Sequence, residues 1–267
     1  MYKLYKKNEL NFALFWIIFY CLLSVPIMEN FGDSSVFTFL FLLLFAIIIT
    51  GFIKKYKLTD KYGLDGFPKD LKRYLYFIPV WILATGNLWG GLSLSYSGLS
   101  QLWAVLSMIL IAYIEEIIFR GFLFKALLTK EGVKNAIIIV GVTFGIGHIV
   151  NIFVGQARFE TLVQIIFAIA WGFILVMIFS KSESLFPSII AHGLINAFSK
   201  FGIENSTTKW LYIILTIAVA IIYCYYLANL DNKDTKIKSW FTTEKDNDFI
   251  FEFFSLFSLK YQKIKKG

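Results

Sequence analysis

Two adjacent carboxylates, Glu115 and Glu116, and the only two histidines of the chain, His148 and His192, all lie inside apolar runs. These are residue types that hydrolysis uses. A carboxylate beside an imidazole can activate a water, one taking the proton while the other orients it. A second imidazole with an amide N–H, such as that of Asn196, can donate to the oxyanion of a tetrahedral intermediate. The same types also make a zinc set, with Glu115, His148 and His192 as ligands. Spacing alone leaves metal-bound and carboxylate-activated water both open.

The carboxylates sit in IAYIEEIIFRGFLF, residues 111–124. One acidic side chain at mid-bilayer costs roughly 2.5–3.5 kcal/mol on insertion scales, so two together need compensation. On a helix, Glu115 and Glu116 point about 100° apart. Arg120 follows Glu116 by four residues, on the same face, where an ion pair offsets part of the cost and leaves Glu115 freer. His148 lies one turn after Phe144 in TFGIGHIVN, with Gly145 and Gly147 allowing close helix approach. His192 and Asn196 share a face in AHGLINAF. A blander reading makes Glu116–Arg120 a structural pair, the histidines packing hydrogen-bonders and Asn196 helix–helix glue. The placement of both histidines in such runs weighs against it.

The elements that must carry these residues follow from composition. Of 267 residues 58% are hydrophobic and 16% charged, against about 25% charged in soluble domains, and the mean hydropathy is +0.68. The expectation is an all-α polytopic membrane bundle of about eight transmembrane helices. They fall near 11–28, 35–53, 74–92, 101–124, 135–153, 161–180, 184–200 and 210–230. The net charge of +8 is dispersed between these runs, which reads as topology rather than nucleic-acid binding. With both termini cytoplasmic, only Arg158, Lys200 and Lys209 of the 26 basic residues fall outside. The N-terminal run, with no small-residue cleavage site after it, reads as an anchor rather than a signal peptide.

Three regions result: helices 1–3 over 1–100 with a turn-rich cytoplasmic loop at 54–73, a core over 101–200, and a last helix with a tail over 201–267. Within the tail, IFEFFSLFSL reads as an interfacial amphipathic segment or as part of a disordered stretch. Cys21 and Cys224 form no disulfide framework and read as small buried or lipid-facing residues. Counted from Lys125, the glutamates sit ~13–15 Å inside, in the cytoplasmic half, and His192 lies ~12 Å inside. His148 counts ~20 Å from Asn135, too deep unless its helix begins near Gly132.

EEIIFRGFL, FGIGH and HGLIN resemble the three motifs, EExxxR, FxxxH and HxxxN, of the CAAX-protease and bacteriocin-processing (Abi) family of intramembrane proteases, which includes the type II CAAX prenyl endopeptidases. All three occur in order: Glu115, Glu116 and Arg120; Phe144 and His148; His192 and Asn196. The resemblance implies peptide-bond hydrolysis in a cavity open to the cytoplasm and membrane. It implies that Glu115 and His148 activate the water, that His192 and Asn196 hold the oxyanion, and that Glu116 supports by fixing Arg120. Family members are described as metalloproteases and as metal-independent glutamate proteases, so a zinc cofactor and its absence are both open.

Eukaryotic members remove a C-terminal tripeptide after prenylation; bacterial members serve bacteriocin self-immunity, export and peptide-signal processing. The Lys-, Ile- and Phe-rich composition looks like that of a low-GC bacterium, so the expected place is the cell membrane. The expected partners are lipids and a peptide or membrane-anchored protein substrate. The chain has no HExxH, no GxSG and no intramembrane aspartate pair. A non-enzymatic immunity or binding protein is the second reading. A transporter is the third, against which no inverted repeat is visible.

Overall fold

In lipid a backbone must satisfy its own hydrogen bonds, and an apolar run of about 20 residues does so as a helix. The computed structural model describes residues 1–68, 77–153 and 155–229, and among them no strand forms. Two units divide the chain, Met1–Cys224 and Tyr225–Gly267; of the second, only residues 225–229, at the end of the last helix, are described.

The helices are α1 (Tyr2–Lys7), α2 (Glu9–Phe31), α3 (Val36–Lys55), α4 (Ile78–Ala84), α5 (Leu99–Glu116), α6 (Lys125–Gly147), α7 (Arg158–Ser182), α8 (Phe186–Phe198) and α9 (Ser206–Asn229). A π-helical stretch, Ile117–Phe124, joins α5 to α6, and a 3-10 turn, His148–Ile152, follows α6. Local chemistry sets several boundaries. Asn8 accepts from the backbone N–H groups of Leu10 and Asn11 at the start of α2, and Ser35 from Phe37 at the start of α3. Pro187 sits in the first turn of α8, where its missing N–H costs nothing.

Among the described residues, five stretches are long and apolar enough to cross a membrane: Glu9–Phe31, Val36–Lys55, Leu99–Ile152, Arg158–Ser182 and Ser206–Ala228. The third, of 54 residues, folds back on itself. Gly132, with φ 77°, breaks α6, and Phe144 then packs edge-on against Phe119 with ring centroids 5.2 Å apart. Two expected spans come out short. The third is represented by α4 and a 3-10 turn at Gly86–Leu88, residues 69–76 lying outside the described chain. The seventh is α8, whose 13 residues span about 20 Å of a ~30 Å core. The expected amphipathic or disordered tail lies outside the described residues.

The bundle has two unlike ends. At one, Lys61 pairs with Glu9 at 2.5 Å, the Leu185 N–H donates to Gly63 at 2.8 Å and Ser184 Oγ to Gly66 at 2.7 Å. At the other, Leu92 and Gly202 form an antiparallel bridge, and Gln101 Nε2 donates to the Lys200 carbonyl at 2.7 Å. There Lys200 also pairs with Asp33, to which the Tyr96 hydroxyl donates at 2.6 Å. Partial burial alone would raise the Asp33 pKa, but the bonds from Lys200 and Tyr96 bring it below the usual carboxylate value. The bond to Asp33 in turn pushes the Tyr96 hydroxyl up.

Candidate active site

α5 ends at Glu116 and runs into the π stretch, all eight of whose residues are buried. π turns are rare and frequently mark functional sites. Glu116 and Arg120 are both fully buried, with Oε1 and Nη1 3.0 Å apart. Desolvating such a pair costs several kcal/mol per ion unless further polar contacts are made. Here Arg120 lies over the Phe144 ring, 4.1 Å from its centroid, and Nη2 donates to the Gly172 carbonyl at 3.4 Å. Glu116 Oε1 is also 2.8 Å from His192 Nδ1. Glu116 is committed to the scaffold.

Glu115 makes no contact with Arg120 at ion-pair range and lines a cavity of 390 Å³. The Tyr20 hydroxyl donates to its Oε1 at 3.3 Å, and its Oε2 lies 3.8 Å from His192 Nε2. His148 and Asn196 line the same cavity. Phe144 packs edge-on against both imidazoles, its ring centroid 5.6 Å from each and nearly perpendicular to both. The sequence-derived residues therefore converge. The depth problem resolves as well: α6 resumes after the Gly132 break, so Phe144 reaches the level of Phe119 and Arg120. His148 is one turn beyond Phe144, and Glu115 one turn before Phe119.

Two features depart from expectation. The imidazole at short range from Glu115 is that of His192 rather than His148. The cavity also extends from Glu115 along the second half of α2 (Ser24, Met28) and the start of α3 (Thr38) towards Asp33 and Lys200. That is the end opposite Lys61 and Lys125, neither of which lines it. As for zinc, no group of three His, Cys, Asp or Glu is set to hold a metal ion among the described residues. Glu115 and His192 approach to 3.8 Å, and no contact of His148 with either is present, so the trio is not a ready-made cage.

A family model described as type II CAAX prenyl endopeptidase Rce1-like matches residues 97–198. Over this stretch the chain is similar to that family. It contains every motif residue from Glu115 to Asn196, and it supports a CAAX-type intramembrane protease in a multi-pass membrane protein. No curated protein and no solved structure matches the chain. The matched stretch does not enclose the whole cavity: α2 and α3, which precede it, supply one wall. Motif reading missed Tyr20, Asp33, Asn151, Gln164 and Lys200. Asn151, just after α6, donates its Nδ2–H to Gln164 Oε1 of α7 at 2.8 Å. The available signal was polarity inside or at the edge of apolar runs, which marks such residues as inward-facing.

Proposed function

We propose that the chain is an intramembrane endopeptidase that hydrolyses a peptide bond in a small hydrophobic or membrane-anchored peptide. The observation that carries the reading is the division between the two glutamates. Glu116 is locked between Arg120 and His192, while Glu115 faces the cavity that His148, His192 and Asn196 also line. Glu115 takes a proton from water that His148, lining the same cavity, orients. The hydroxide adds to the scissile carbonyl carbon. His192 and Asn196, one helical turn apart, donate to the resulting oxyanion. Glu116 accepts from His192 Nδ1, so Nε2–H faces the cavity when the ring carries both protons. Collapse of the tetrahedral intermediate expels the amine, which recovers the proton from Glu115.

Bacteriocin self-immunity and peptide-signal maturation are the roles this chemistry would serve in a bacterial cell membrane. Purified protein incubated with membrane-anchored hydrophobic peptides, with products read by mass spectrometry, tests the reaction. Wild type should give defined cleavage products; Glu115→Gln and His148→Ala should give none at equal membrane-inserted levels. Retained cleavage in either variant sinks the mechanism, and cell protection by the Glu115→Gln protein would favour a binding role. Zinc content of the same sample, with activity compared before and after chelation, separates metal-bound from carboxylate-activated water.

A further inference from the structure

Along α2 the buried aromatics Phe12, Trp16 and Tyr20 follow one another at helical spacing on one face. Phe12 packs edge-on against Phe122 of the π stretch, with ring centroids 5.0 Å apart. Trp16 and Tyr20 pack edge-on against Phe45 of α3, at 5.5 and 5.6 Å. This ladder ties α2 to the segment that carries Arg120 and fixes the height of its last ring. Tyr20, the member with a hydroxyl, lines the catalytic cavity. There the hydroxyl donates to Glu115 Oε1 at 3.3 Å. Glu115 Oε2 lies 3.8 Å from His192 Nε2, beyond hydrogen-bond length. One oxygen of the acid is held, and the other is left for a guest.

A plain packing account makes Glu115 only the partner that a buried hydroxyl needs. Trp16 argues against it: its Nε1 is buried on the same helix face and has no hydrogen-bond partner among the described residues. Burial on this face does not by itself recruit an acceptor. A general base, by contrast, must present one oxygen in a fixed direction. The motif residues nearest to hand are already engaged, since Arg120 Nη1 and His192 Nδ1 both meet Glu116. We infer that Tyr20 is a positioning residue for Glu115: its hydroxyl holds Oε1, so that Oε2 is the oxygen that takes the proton from water. Tyr20 precedes the matched residues 97–198, so the geometry of the base is completed from outside that stretch. The inference rests on the reading of Glu115 as the general base.

Tyr20→Phe keeps the ring and removes the hydroxyl. Losing one hydrogen bond changes a rate or an equilibrium by roughly two- to tenfold. Purified Tyr20→Phe protein should cleave a membrane-anchored hydrophobic peptide with kcat lower by that factor, at unchanged KM and equal inserted level. A second readout needs no turnover. A hydrophobic carbodiimide adds to a carboxyl in its protonated form, and the adduct on Glu115 is measured by mass spectrometry, with Glu115→Gln as the blank. A hydroxyl that donates to a carboxylate favours the ionised form, so the variant should take label at Glu115 roughly two- to tenfold faster. Four results each overturn the inference: unchanged kcat, a kcat loss beyond this range, an effect carried by KM, or less inserted protein with unchanged labelling. If the wild type cleaves no peptide while labelling still responds to the hydroxyl, the protease reading falls and the hold on Glu115 stands. If cleavage needs Glu115 and neither readout responds to Tyr20→Phe, the protease reading stands and the positioning role falls.

Discussion

Glu115 and Glu116 are neighbours in sequence and opposites in environment, so substitution should separate catalysis from folding. Glu116→Ala leaves Arg120 buried without its carboxylate, which typically costs about 3–5 kcal/mol. The expected outcome is a lower unfolding temperature in detergent and less inserted protein. Asn196→Ala should leave both unchanged and lower kcat by about 10²–10³-fold if it holds the oxyanion, with KM little altered. Tyr20→Phe removes one hydroxyl from Glu115. A single hydrogen bond is worth about 0.5–1.5 kcal/mol, so kcat should fall by no more than roughly tenfold, and a larger loss would make Tyr20 part of the chemistry. The Glu116–Arg120 pair was legible from i,i+4 spacing alone. Tyr20 was not, because its contact joins positions 95 residues apart, and nothing local to an aromatic in an apolar helix says which acid it will meet.

At the scale of elements, the close contact of α6 with α7 sets the site's height. A Cβ on Gly172 would lie 2.5 Å from the Gly141 carbonyl oxygen, and one on Gly145 2.7 Å from the Ile169 backbone nitrogen. Backbone cannot yield as a flexible side chain can. Gly172→Ala should therefore push the helices apart and weaken the Arg120 bond to the Gly172 carbonyl. Overpacking of this kind costs about 1–3 kcal/mol, read as a fall in unfolding temperature together with reduced activity. Apolar run length identified most of these helices correctly. It could not show the π stretch, because hydrophobicity is the same whether the backbone closes i→i+4 or i→i+5 bonds. The seventh run, closed by Ser199 and Lys200, is short already in sequence, and the helix it forms has 13 residues.

At the scale of the molecule, the all-α bundle architecture was legible, whereas the reach of the cavity from Glu115 to Asp33 and Lys200 was not. Where a cavity lies depends on which helix faces fail to meet, a property of packing rather than of any segment. Where the Asp33–Lys200–Tyr96 cluster knits the basic-poor end together, stability should depend on pH. The Asp33 pKa is lower in the folded chain. Its contribution is therefore complete above the unfolded value of about 3.9 and is lost as pH falls through the folded value. Unfolding followed in detergent from about pH 5 to pH 3 should show this acid loss in the wild type and a shallower one in Asp33→Asn. The wall that α2 and α3 lend to the cavity has a consequence for how such a chain can diversify. The motif-bearing helices keep the reaction, while the two leading helices touch the guest without holding a general base. Drift or recombination in the leading pair can thus alter what is cut and leave how it is cut intact, and a chimera with a foreign leading pair should change cleavage preference while keeping its dependence on Glu115.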